Sequence, residues 1–191
     1  MNKIILASNS PRRLMLLRQV GIEPVVVPSH VPEDAIEGEF PEDTALRLAI
    51  EKAREVSKQF REGLVIGADT VVVIAGEQLG KPKDVDDAGR MLRLLSGKTH
   101  TVVTGLAVID AGTSDTKTAL VRTRVRFKPL SEEDIEVYIG TGDPMDKAGA
   151  YGIQGRAAVF IEGIEGCYSN VVGLPLSELM DILKSFGVRL R

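Results

Sequence analysis

The stretch LVIGADTVVVI, Leu64 to Ile74, is the most apolar run in the chain, and a carboxylate, Asp69, stands in its middle. A short apolar run bounded by turn signals reads as a strand. Burying a bare carboxylate there costs several kcal/mol, so Asp69 must be paired, metal-bound or at the strand's mouth. Gly67 and Ala68, just before it, carry little side chain and let a ligand approach the backbone. A structural role, capping a bulge or pairing with a core lysine, accounts for Asp69 equally well on these residues alone.

Around this strand, helical and extended segments alternate. Ile4 to Ala7 reads as a short buried strand running into Ser10-Pro11, an N-cap followed by proline at the first helical position. That helix stops at Gly21, and Val25 to Val27 forms a second short strand before the acidic loop PSHVPEDAIEGEFPED. A long helix from about Glu42 to Phe60 ends at Gly63. Beyond the Leu64 strand, an Asp84-capped helix shows Ala88, Leu92 and Leu95 on one face, with Gly97 after it. HTVVTGLAVID and TALVRTRVRF make two strands about the turn DAGTSD. The second alternates strictly, with Val121, Thr123, Val125 and Phe127 on one side and Arg122, Arg124 and Arg126 on a solvated face. A short helix from Ser131, a glycine-rich loop from Gly140 to Gly155, a strand AAVFIEGIEG and a helix from about Pro175 to Phe186 complete the chain. Strands interleaved with helices, with hairpins among them, predict an α/β fold on a mixed sheet. At 191 residues, the simplest organisation is one domain over 1–191.

Three further positions break their local pattern. Arg12 and Arg13 lie in a first helical turn, where the helix dipole favours acids. With Ser8 and Ser10 they cluster at a strand-to-helix junction, where free backbone N–H groups already attract an anion, and a phosphate chain is the natural occupant. The plain alternative is two solvated arginines. Lys52 is the third. At about 3.6 residues per turn, Ala45, Leu48, Ala49, Ala53 and Val56 form one stripe, and Lys52 falls near its middle. Snorkelling belongs to a stripe's edge, so a lysine at its centre points to an internal carboxylate or a ligand phosphate. Lys81, in LGKP, and Glu33, among the acids of the long loop, are weaker candidates that spacing does not single out.

Composition narrows the chemistry. A formal net charge of −3 argues against a general nucleic-acid binder, and three Tyr, five Phe and no Trp offer little stacking surface for single-stranded RNA. No apolar run approaches membrane-spanning length, and MNKIILAS is too short for a signal peptide's apolar region. Cys167 is the only cysteine, which fits a reducing compartment, and the cytoplasm is the expected location. His30 and His100 stand alone without metal-ligand spacing, and neither GxxxxGK[ST] nor GxGxxG occurs. What remains is basic side chains for phosphate, with carboxylates for a hard divalent cation and a water.

ASNSPRR, GADTVV, GKP, HTVVTG, DKAGAYGIQG and YSNVVGLPL, in this order over nearly the whole chain, resemble the Maf family of nucleoside triphosphate pyrophosphatases. Asn9 departs from the small residue usual there, and no charged position is affected. The resemblance implies a two-lobed α/β fold with a mixed twisted sheet, flanking helices and a central cleft, like the inosine triphosphate pyrophosphatases. It implies hydrolysis between the α- and β-phosphates of a nucleoside triphosphate, giving monophosphate and pyrophosphate, with a divalent metal, usually Mg2+. Carried over by motif, Ser8, Ser10, Arg12, Arg13, Lys52 and Lys81 serve the phosphate chain, and Asp69 accepts the proton of the attacking water. Glu33 assists Asp69 with the metal. The dTTP/UTP branch has Arg after SP, Thr after the catalytic Asp and Gln in YGIQG, here Arg12, Thr70 and Gln154. A branch acting on 7-methyl-GTP carries a large aromatic residue after SP and an acid in place of that Gln. The Gln154 amide both donates and accepts, as a pyrimidine imide edge requires. A homodimer is implied by analogy, with no nucleic-acid or membrane partner. A nucleotide-binding regulator of septum formation without turnover is the alternative from another class.

Overall fold

The computed structural model describes residues 3–34 and 36–189. The order of elements follows the alternation expected: β1 Ile4–Leu6, α1 Pro11–Gln19, β2 Val25–Val26, α2 Pro41–Ser57, β3 Leu64–Ile74, β4 Glu77–Leu79, α3 Val85–Leu95, β5 Thr99–Asp110, β6 Thr116–Phe127, α4 Glu132–Ile139, β7 Ile161–Glu165, α5 Tyr168–Val172 and α6 Leu176–Ser185. One seven-stranded sheet runs in the order β2-β1-β3-β5-β6-β7, with β4 paired to β3. It is mixed. β1 lies parallel to β2 and β3, while β4 and β7 run antiparallel to β3 and β6. No helix among the described residues is long and apolar enough to cross a membrane.

The caps explain several boundaries. The Ser10 side chain accepts from the Arg13 N–H, Asp84 accepts from Asp87 N–H at 2.8 Å, and Ser131 and Asp134 form a reciprocal capping box. On β6, Thr123, Val125 and Phe127 are buried and Arg122, Arg124 and Arg126 exposed, as the alternation requires. The solvated arginines meet β7: Arg124 pairs with Glu165 at 2.9 Å and Arg126 with Glu162 at 3.0 Å.

One segment departs from expectation. AAVFIEGIEG is extended only over Ile161–Glu165, because Arg156–Phe160 winds as a 3-10 turn. Ala157 and Phe160 are both buried, three residues apart, and a 3-10 turn stacks i over i+3 on one face where a strand would split them. Helix α5 occupies a stretch to which the sequence reading assigns no element.

The chain divides into two compact units. The first comprises the described residues up to Asp69, Thr104–Val121 and those from Gly173 onward. Its core includes Ile5, Ala7, Ala49, Ala53, Val56, Val65, Ala107 and Ile109. Here α2 lies with its backbone directly on the strands. A Cβ at Gly67 would stand 2.2 Å from the Ala49 carbonyl oxygen, and one at Gly105 2.2 Å from that of Ala45. Only glycine admits that approach. The second unit, Thr70–Val103 and Arg122–Val172, is built around Leu92, Val125, Phe127, Ile135, Tyr151 and Phe160.

Candidate active site

In the first unit the pattern-breaking residues meet. Lys52 and Asp69 are only 6% and 7% exposed. The close seat of α2 on β3 brings the Lys52 ammonium to 2.6 Å from Asp69 Oδ1, and it also donates to Glu33 Oε1 at 2.6 Å. One cation thus bridges two carboxylates, one from the apolar strand and one from the acidic loop. The stripe-centre lysine and the mid-strand aspartate explain each other.

The β1–α1 junction supplies the second cation. Ser8 is buried, and its hydroxyl oxygen accepts from the Ser10 N–H at 3.1 Å and from Arg13 Nη1 at 3.1 Å. Arg13 Nε donates to the Gly173 carbonyl at 2.8 Å. Arg13 is therefore turned back from the helix surface and locked by its neighbours. Arg12, beside it, is half-buried.

Electrostatics tie these groups together. Burial pushes the Asp69 carboxyl above its ordinary range; the charge and hydrogen bond of Lys52 and the charge of Arg13 oppose the rise, and Glu33 adds to it. Burial draws Arg13 downward, against the attraction of Asp69 and Glu33, with repulsion from Arg12 adding to the fall. A guanidinium still keeps its proton at any physiological pH. Lys52 and Arg13 compensate the buried Asp69 carboxylate, so it is not left as an unpaired buried charge, and Glu33 meets Lys52 from the solvent side.

The same arrangement fits a hard cation. Asp69 and Glu33 already converge on one positive centre, and magnesium is commonly held by one or two carboxylates together with substrate phosphates. Among the described residues no cluster of three or more His, Cys, Asp or Glu side chains forms a cage.

Of the expected site residues, Ser8, Ser10, Arg13, Glu33, Lys52 and Asp69 thus form one hydrogen-bonded and electrostatic group, with Arg12 adjacent on α1. Thr70, Lys81 and Gln154 belong to the second unit. Thr70 is half-buried on β3, and Lys81 is exposed just after β4. Gln154 is exposed on a turn closed by Gly155 N–H to the Gly152 carbonyl at 3.1 Å. The Gly149 N–H donates to the Gly80 carbonyl at 3.0 Å, tying this loop to the turn that carries Lys81. Sequence reasoning missed the Gly173 carbonyl, 160 positions from Arg13, because nothing local marks a backbone acceptor.

The chain is similar to known proteins in sequence and in fold. The family model described as Maf-like protein matches residues 3–186. The dTTP/UTP pyrophosphatase of Pelotomaculum thermopropionicum is 52% identical over 187 residues, covering 98% of each chain. That of Geotalea uraniireducens is 55% identical over 186 residues, 97% of this chain and 96% of the relative. In fold, the chain is similar to the Ham1 protein of Staphylococcus aureus, with a TM-score of 0.54 over 96% of this chain and 98% of the other at 14% identity.

Proposed function

The chain belongs to the Maf family, and from that premise we propose that it hydrolyses dTTP and UTP to the monophosphate and pyrophosphate. The observation that carries the reading is the buried Lys52–Asp69 pair, joined by Glu33 from the loop and lying beside Arg13. It combines a basic group for phosphate with a carboxylate poised for a water.

Water oxygen attacks the α-phosphorus, the bond from that phosphorus to the α–β bridging oxygen breaks, and pyrophosphate leaves with that oxygen. Asp69 accepts the water's proton and orients its lone pair. Its carboxylate is fixed by Lys52, so the acceptor is in place before substrate arrives. An ammonium carries three donors, and the contacts to Glu33 and Asp69 use two, which leaves one N–H direction for a phosphate oxygen. Arg13, held by Ser8 and Gly173, presents fixed positive charge at the N-terminal end of α1, where backbone N–H groups also favour phosphate. A magnesium ion, held by Asp69 and Glu33, would supply charge neutralisation at the phosphates and a more acidic bound water. Arg12 and Lys81 on the phosphate chain, and Thr70 and Gln154 on the pyrimidine, complete the assignment on the strength of the family resemblance. A cytoplasmic location belongs to the same proposal.

The alternative, a nucleotide-binding regulator of septum formation without turnover, is not favoured. A pure binder gains nothing from a carboxylate set among its phosphate ligands, and the relatives at about half identity are named for turnover. The test is to incubate the purified protein and magnesium with a panel of nucleoside triphosphates and assay pyrophosphate separately from orthophosphate. Pyrophosphate release confined to dTTP and UTP is expected. Release of orthophosphate alone, or of nothing, overturns the reading.

A further inference from the structure

The second unit buries a polar pair that this chemistry leaves unused. His100, at the start of β5, is 2% exposed, and its Nε2 lies 2.7 Å from the Tyr151 hydroxyl. The imidazole meets the rings of Phe127 and Tyr151 edge-on, with centroids 5.1 and 5.3 Å away, and Phe160 and Tyr138 extend the cluster. Burial lowers His100 to about 4 and raises the Tyr151 phenol, so an uncharged imidazole faces an uncharged phenol at neutral pH. Two phenylalanines would fill this space without taking polar groups out of water. What the hydrogen bond adds is direction: it decides where the Tyr151 ring sits.

Tyr151 in turn governs a short segment. Just before it, Ala150 is fully buried in a left-handed conformation at φ 59°, a geometry that persists only where the surroundings enforce it. Lys147, at the start of the same segment, donates to the Asp143 carbonyl and to Asp146 Oδ1, each at 2.6 Å. Just after Tyr151 comes the turn from Gly152 to Gly155 with Gln154 exposed on it, and beyond the turn buried Ala157 and Phe160 hold the other end. Gln154 therefore rides on a turn anchored on both sides, and the His100–Tyr151 bond is the directional element of the nearer anchor.

We propose that His100 is a positioning residue for base recognition: by fixing Tyr151 it holds the Gly152–Gly155 turn in the conformation that presents the Gln154 amide to a uracil or thymine imide edge. This rests on the reading of Gln154 given above. The hydrogen bond couples a strand residue to a loop residue 51 positions away, so the amide's orientation is set before a base arrives.

The experiment measures kcat/KM for dTTP and for dCTP, whose ring lacks the imide N–H, in six proteins: wild type, Tyr151→Phe, His100→Phe, the double variant of these two, His100→Gln and Gln154→Ala. Tyr151→Phe removes one hydroxyl and keeps the ring, so it remains informative even if His100→Phe fails to fold. Tyr151→Phe and His100→Phe are each expected to reduce the dTTP:dCTP ratio by about tenfold, through KM for dTTP more than through kcat. The double variant should lose no more than either single, and His100→Gln, whose amide nitrogen reaches the Nε2 position, should recover most of the ratio. A wild-type ratio in folded Tyr151→Phe overturns the proposal, as does a multiplicative loss in the double variant. If Gln154→Ala keeps the wild-type ratio, the base-recognition reading itself falls. If Gln154→Ala loses the ratio and Tyr151→Phe keeps it, only the role of His100 falls.

Discussion

The two units bury polar groups in opposite ways. In the first, Lys52, Asp69, Glu33 and Arg13 bring full charges into a site where Lys52 and Asp69 are almost wholly shielded from water, and hold them by mutual neutralisation. In the second, His100 and Tyr151 are stripped of charge and held by one hydrogen bond within an aromatic cluster. The charged arrangement is responsive: an incoming anion or cation changes the balance among its four members. The neutral one is inert to incoming charge and serves only to fix geometry.

Four experiments break or sharpen this contrast. The largest effect is expected for Asp69→Asn, which keeps shape and removes the proton acceptor. Turnover should fall by about 10^3-fold or more while the nucleotide dissociation constant, by calorimetry, moves little. Equal loss of both would reduce Asp69 to a structural counter-ion. Next is Lys52→Met, which leaves two carboxylates facing each other without their cation. Chemical denaturation should show a loss of about 3 kcal/mol, discounted toward 2 because Glu33 is partly exposed. The acidic limb of the kcat/KM profile should also move to higher pH, since removing a positive neighbour raises the Asp69 pKa further.

The third experiment turns to the neutral pair. His100 in the folded protein titrates near 4 against 6.5 when unfolded, so between those values the unfolded chain binds more protons and stability falls as pH falls. Full stability is present above 6.5, and about 2 kcal/mol should be lost between pH 7 and pH 5, read from urea midpoints. His100→Gln should remove that slope. A slope unchanged in the variant would assign it to other groups. The smallest effect belongs to the exposed Arg124–Glu165 pair on β6 and β7: Arg124→Ala should change stability by less than about 0.5 kcal/mol. A larger loss there would show that solvated charge on this sheet matters as buried charge does.

Much of the first site was legible because its residues violate the patterns around them. Asp69 interrupts an apolar run and Lys52 sits in the middle of an apolar stripe, and the structure makes these two anomalies one ion pair. The Ser10 cap could be read because capping is local in sequence. Glu33 could not be chosen by spacing among its acidic neighbours, since what selects it is a contact to Lys52, 19 positions on; only the family resemblance singled it out. His100 read as isolated for the same reason, its partner being an ordinary tyrosine in a distant loop. Residues 157 to 160 suggested a strand through Val159 and Phe160, and the burial of Ala157 with Phe160 decided for a tighter turn.

The bare backbone of positions 67 and 105 has a consequence for how this protein tolerates change. With helical carbonyls seated at two separate points, α2 can neither slide along the sheet nor roll upon it, and the reach of its lysine is set as by a machinist's gauge. A methyl group at either point would act as a shim. It would lift a seventeen-residue lever off its bed and open the gap across which the ammonium meets its carboxylate, without altering one charged atom.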